Sequence, residues 1–227
     1  MNATFGPWGE DQLFKWKYAD NPFGESLHTL AYDGRQAVGC VGFWRNDIDE
    51  SNAYQCVDLA VLPSHRRRGI FKDAVASSME HLGGAFVYTF PGGGSRSGFL
   101  QSGWQIKRRI RVSAQLTRFV LRRHEGSSPL ADEYIQWRFV DHPSKQYFVS
   151  RLNGRPYLVT QRRNNAYAVA GALSHDFGLP EVSPRFLFSY DFLHLPFVIP
   201  GKGDYILENS SSVSYDGYIP SYRADTF

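Results

Sequence analysis

The chain is poor in sulfur. Its 227 residues include two cysteines, Cys40 and Cys56, and two methionines. Two cysteines exclude a disulfide-stapled scaffold, their spacing matches no metal-ligand motif, and such sparse use suits a reducing compartment. Long apolar runs are missing too. No segment approaches the roughly 20 apolar residues of a membrane-spanning helix, and Met1–Phe14 lacks the apolar stretch of a secretory signal. The expectation is a cytoplasmic protein with no membrane partner and no metal. Net charge is also small: 25 basic against 22 acidic residues leaves +3. Basic clusters are therefore local features, not a nucleic-acid-binding tail. Hydrophobic residues make up 42% and aromatics 15%, the composition of a globular core rich in strands. The length allows one or two domains.

The most informative stretch runs from Tyr54 to Leu82. Tyr54–Leu62 is mostly apolar and suits a buried strand, which Pro63 ends because it brings no N–H. From Ile70 the period changes: Ile70, Phe71, Ala74, Val75, Met79 and Leu82 fall on one face of a helix. Between the two elements lie Arg66, Arg67, Arg68 and Gly69. A helix start offers unpaired N–H groups and positive potential. Gly69 permits a tight turn, and the arginines add charge, so the loop reads as a cradle for a phosphate or pyrophosphate. The bland alternative is a surface turn with solvated arginines.

Arg66-x-x-Gly69-x-Phe71 after Leu59-Ala60-Val61-Leu62-Pro63 resembles the [QR]-x-x-G-x-[GA] signature of the GCN5-related N-acetyltransferases, the GNAT superfamily. Phe71 departs from the small residue of that signature and is expected to tighten the space beside the phosphates. A second likeness follows. Ala85–Phe90 reads as a strand, leading through Pro91-Gly92-Gly93-Gly94 to a short helix that ends Phe99-Leu100-Gln101-Ser102-Gly103-Trp104. The resemblance covers roughly residues 12 to 117. It implies an α/β (α+β) fold with a mixed central sheet flanked by helices. It implies acetyl-CoA or another acyl-CoA as co-substrate, held by Leu59, Ala60, Val61, Arg66, Arg67, Arg68, Gly69, Ile70, Phe71, Lys72 and Ser95. Backbone N–H groups near Ala60 to Leu62 are expected to be free where the strands splay.

Elsewhere the pattern is that of alternating elements. Asp11–Ala19 reads as a helix, broken at Asn21-Pro22. Leu27–Tyr32 and Gln36–Trp44 read as a hairpin turning at Asp33-Gly34. After Trp104, Ile106, Ile110, Val112, Ala114 and Leu116 alternate with Lys107, Arg109 and Arg111, as in a half-buried strand with one wet, basic face. Residues 122–129 read as a linker. Beyond it the opening pattern returns: Phe14-Lys-Trp16-Lys-Tyr18-Ala-Asp20-Asn-Pro22 matches Ile135-Gln-Trp137-Arg-Phe139-Val-Asp141-His-Pro143, and Asp33-Gly34-Arg35 matches Asn153-Gly154-Arg155. The expected domains are a GNAT domain at 1–121 and a degenerate GNAT-like half at 130–227, without a second cradle.

The resemblance implies acyl transfer to a small primary amine, with an amino sugar as one acceptor class. A carboxylate inside an apolar strand is costly unless paired or functional, so Asp58 is the expected base. Tyr54 and Cys56 should share its face by the period of two. In the family a Tyr in the second motif often protonates the leaving thiolate; the matching position here is Phe99, which cannot. Tyr88, Ser95 or Ser97 would have to substitute, or the reaction would run without a side-chain acid. The carboxylate of Phe227 is a further candidate base, by analogy with tandem GNAT relatives. His28 could titrate near neutrality or simply pack. Two other readings stay open: a non-catalytic acyl-CoA binder or interaction module, and a peptidyl transferase using aminoacyl-tRNA. Nucleic acid is not the expected partner, and self-association is left open.

Overall fold

The computed structural model describes residues 11–48, 51–116, 122–123, 132–163, 166–190, 193–194 and 197–209. They form two compact units. One holds the described residues up to Arg108 together with Tyr205–Asn209, the other the described residues from Arg109 to Asp204. This differs from a division at a 122–129 linker, because the chain returns to the first unit at Tyr205. Within the expected linker, Arg122–Arg123 pairs with Leu193–His194 as a small antiparallel ladder. Among the described residues no helix is long and apolar enough to cross a membrane.

The first unit opens with α1, Asp11–Phe14, which continues as a π-helical turn, Lys15–Ala19. Trp16 and Tyr18 are buried, and the Asp20 N–H closes the turn on the Lys15 carbonyl. Strands β1 (Leu27–Asp33) and β2 (Gln36–Arg45) form the hairpin read from the sequence. Then come β3 (Ala53–Val61), α2 (Ile70–His81), β4 (Phe86–Thr89), α3 (Arg96–Gln101) and β5 (Trp104–Leu116). After the short β6 (Arg122–Arg123), the second unit repeats the opening: α4, Asp132–Ile135, continues as a π-helical turn, Gln136–Val140. There follow β7 (Phe148–Leu152), β8 (Arg155–Arg163), β9 (Ala166–Ala172), β10 (Phe186–Tyr190), β11 (Leu193–His194) and β12 (Phe197–Asn209).

In the first unit the strand order is β1-β2-β3-β4-β12-β5. β1, β2 and β3 are antiparallel neighbours, and β3 and β4 run parallel. The parallel pair needs a crossover, which α2 supplies. Its Ala74, Val75 and Leu82 side join Val41, Phe43, Cys56, Val87, Phe99, Trp104 and Leu207 in one core cluster. The helix face read from the periodicity is the one that packs. In the second unit β7, β8 and β9 are antiparallel neighbours and β10 is parallel to β9, the same arrangement. The described residues between β9 and β10 contain no helix. The second unit therefore shares the order helix, hairpin and parallel pair with the first, without a helix between its parallel strands.

The expected alternation of β5 does not hold throughout. Ile106 is 51% exposed, while Lys107 turns toward Glu208 on β12 and pairs with it at 3.1 Å. Pairing the ammonium between strands places its neighbour Ile106 on the opposite, open side.

Candidate active site

One extra residue in β3 organises the site. Gly42 pairs with Val57 and Cys40 with Ala60, so two steps on β2 span three on β3. Asp58 sits in this bulge with φ 49°. A bulge resets the alternation of a strand. Tyr54, Cys56 and Leu59 accordingly pack on the core cluster under α2, whereas Asp58 turns to the α1 side. Tyr54 and Cys56 do not share the Asp58 face. Buried against α2, the Cys56 thiol is pushed far above its usual range.

Just before the bulge the parallel pair parts. The β3–β4 register ends at Cys56 and Thr89, where the Thr89 hydroxyl donates to the Cys56 carbonyl at 2.9 Å. The Leu62 N–H is spent on the Val38 carbonyl of β2, and the antiparallel alternation turns Ala60 the same way. The amides facing the parted side are those of Leu59 and Val61, not the whole run Ala60–Leu62. The Val61 carbonyl on that side accepts from Arg66 Nε at 3.1 Å.

This opening leads to the start of α2. Gly69 caps the helix at φ 84°, a left-handed conformation that favours glycine. The first-turn amides of Ile70, Phe71 and Lys72 have no partner within the helix. Arg66, Arg67, Arg68, Gly69 and Lys72 are exposed. The Phe71 ring turns to the core side of α2. It stands edge-on to Phe99, centroids 5.0 Å apart, and lies against Gly98. The ring is partly buried and packs against the core cluster of the first unit. Ser95 caps the short α3 region, its hydroxyl donating to the Gly92 carbonyl at 3.3 Å.

On the α1 side of the bulge a polar cluster assembles. Lys17 Nζ donates to Asp58 Oδ2 at 2.6 Å, and the Tyr18 hydroxyl donates to the same oxygen. Both partners of the ion pair are 14% exposed. The Lys17 ammonium also lies 5.4 Å from the ring centroids of Tyr18 and Trp44, a favourable cation–π placement. His28 stacks edge-on against Tyr18, and its Nε2 is buried without a hydrogen-bond partner among the described residues. Burial pushes the His28 imidazole below its usual pKa; Asp58 opposes this shift and Lys17 adds to it. Burial, then the Asp58 charge, holds the Tyr18 phenol well above its ordinary value. The Cys40 thiol, 3.5 Å from the Asp58 carbonyl, is likewise raised by burial.

The cluster thus joins Asp58, read from the sequence, to Lys17 and Tyr18, which were not. The only sequence signal for them was the amphipathic first helix, some forty positions away. Tyr88 is fully buried, and its hydroxyl accepts from the Asn46 amide at 2.6 Å. It belongs to a packed polar pair rather than to an open site. Phe99 is core, 4.8 Å from Trp104 between ring centroids. Phe227 lies outside the described residues. No group of His, Cys, Asp and Glu among the described residues is arranged to hold a metal ion.

Comparison with known proteins matches this geometry. Residues 2–87 match the model of the acetyltransferase (GNAT) family. No curated protein matches the chain. A probable N-acyltransferase of Enterococcus faecalis V583, a conserved protein of unknown function, is 11% identical with a TM-score of 0.57, over 91% of this chain and 67% of that one. A GCN5-related N-acetyltransferase of Kribbella flavida is 10% identical with a TM-score of 0.52, over 91% of this chain and 66% of that one. At such identities the likeness is one of fold, and this chain spans about two thirds of either protein's length. The bulged β3, the parted parallel pair and the glycine-capped α2 lie in a GNAT-like fold, within the stretch that matches the acetyltransferase (GNAT) family model.

Proposed function

We propose that the chain is an acyl-CoA-dependent N-acyltransferase, most simply an acetyltransferase, acting on a small primary amine. One observation carries the reading: β3 stops pairing with β4 at Cys56, so the stretch of β3 that holds Asp58 and leads to the Gly69 helix start has no register with β4. The residues fit an acyl-coenzyme A. The first-turn amides of α2 and the side chains of Arg67, Arg68 and Lys72 would hold the pyrophosphate. The Leu59 and Val61 amides would meet the extended arm as a strand neighbour would. The coenzyme supplies an activated acyl carbon on a good leaving group.

The chain's own residues then bind and orient the acceptor. Asp58 Oδ2 is engaged by Lys17 and Tyr18, and Oδ1 would receive the acceptor ammonium. Asp58 would accept the proton that the amine must lose before attack. Held at one oxygen by two donors, the carboxylate is fixed in orientation. Phe99 supplies no acid, but a thiol pKa near 8.5 lets the thiolate leave at neutral pH. Amino sugars are the first acceptor class to screen. The soluble, cytoplasmic setting and a tandem ancestry of the two halves belong to the same reading.

The test is thermal stabilisation by acetyl-CoA together with thiol release over an amine panel. At about 100 times its Kd the ligand should stabilise the protein by about 2.7 kcal/mol. Gly69→Asp combined with Arg66→Ala should abolish this. Stabilisation without thiol release on any amine would favour the second reading, a non-catalytic binder, which the core position of Phe99 supports. The aminoacyl-tRNA reading has lost part of its basis, since Lys107 of the basic strand is engaged by Glu208.

A further inference from the structure

The amine nearest the Asp58 carboxylate is the protein's own. Lys17 Nζ lies 2.6 Å from Asp58 Oδ2, and the pair is only 14% exposed on each side. Asp58 stands in the bulge at which β3 leaves β4, so Lys17 is placed where an acceptor's ammonium would be placed. The aromatic faces of Tyr18 and Trp44 confine the ammonium. We propose that Lys17 is a self-acylation site: an acyl-CoA bound at the Gly69 cradle acylates Lys17 Nζ within the same molecule. The proposal rests on the coenzyme reading above and adds to it an acceptor that the chain itself carries.

The step balances as follows. Asp58 takes one proton from the Lys17 ammonium. The freed Nζ lone pair attacks the acyl carbon; an N–C bond forms, and the C–S bond breaks with its electron pair on sulfur. A second Nζ proton passes to the thiolate, giving the coenzyme thiol. Asp58 returns its proton to solvent. The product amide is neutral, so the Lys17–Asp58 ion pair is lost and Tyr18 is left as the donor to Asp58. Acylation would therefore change the charge presented to every later acceptor.

Lys15 provides an internal control two positions away. Its ammonium pairs with Asp20 at the surface and is 67% exposed. Non-enzymatic acetylation follows exposure and would favour Lys15. A site-directed reaction would favour Lys17, because holding the reactants together converts a bimolecular step into an effectively unimolecular one. The experiment is incubation of the full chain with acetyl-CoA, followed by peptide mass spectrometry over time. Lys17 is expected to gain one acetyl group at least about tenfold faster than Lys15. Excess free coenzyme A should suppress labelling of Lys17 and not of Lys15. Asp58→Asn should abolish it at Lys17 alone. The decisive ratio is read in the wild type, so it does not depend on any variant folding. Labelling of Lys15 as fast as Lys17, in protein that acetyl-CoA stabilises, overturns self-acylation and leaves the coenzyme reading intact. Absence of stabilisation by acetyl-CoA overturns both.

Discussion

The Tyr18 phenol and the His28 imidazole stand edge to face, ring centroids 3.9 Å apart, over the same glycine. A Cβ at Gly42 would lie 2.9 Å from the Tyr18 hydroxyl and 3.2 Å from His28 Cε1. The absence of a side chain at Gly42 therefore lets α1 bring Tyr18 down to Asp58. Gly42→Ala is expected to cost about 1–3 kcal/mol, as overpacking does. The check is urea unfolding, which should show a lower midpoint with an unchanged slope. An unchanged midpoint would mean that Tyr18 and His28 move aside freely.

Lys17 and Asp58 should prove energetically coupled. Removing one partner leaves the other charge in a mostly buried place, which is more costly than removing both. Lys17→Gln and Asp58→Asn, singly and together, form a double-mutant cycle. The expected coupling is about 1–3 kcal/mol. Additive losses would place the pair among the weak surface contacts instead.

Stability should fall as the solution is acidified through the histidine range. His28 in the folded chain has its pKa lowered, chiefly by burial. The unfolded chain then binds the proton more readily, so this contribution is fully present above about pH 6.5 and is lost as pH falls through the folded value. His28→Gln should flatten that part of the profile. Denaturant titrations from neutral to mildly acidic pH, on both proteins, measure the difference. Identical slopes would assign the acid sensitivity to other groups.

Phe71→Ala separates packing from ligand binding. The ring packs on Phe99 and Gly98, so its loss should destabilise the protein by about 2–3 kcal/mol, somewhat less than a fully buried Phe. Since the ring packs on the core cluster, acetyl-CoA should still raise the melting temperature of the variant by a comparable amount. Loss of that response would show that the ring supports the loop from below.

The parts of the site legible in the sequence are those made by neighbours in the chain. Strand, basic turn and helix lie within Tyr54–Leu82, and each announces itself by period and by Pro63 and Gly69. The repeated first helix was legible too, because Trp16 and Trp137 are buried alike and each π-helical turn ends on an Asp that closes onto the residue five before it. The bulge left no such trace. One inserted residue does not alter composition or mean period, yet it moved Asp58 to the opposite face from Tyr54 and Cys56. Lys17 and Tyr18 reach Asp58 only because the helical turn that carries them meets β3, some forty residues on, and no local pattern encodes that meeting. Lys107 was misread for a similar reason: its partner, Glu208, arrives from far along the chain.

The return of β12 to the first unit has a bearing on synthesis. Leu207 pairs with Thr89 and Glu208 with Tyr88, and Leu207 belongs to the core cluster of that unit. During translation the first unit therefore emerges with the outer flank of β4 unoccupied and with a gap in its core. It stays so until the strands of the second unit up to Asp204 have followed. An exposed flank of this kind is the sort of edge that invites pairing with other chains. The passage of the second unit's strands from the ribosome thus sets the moment at which the first unit can close.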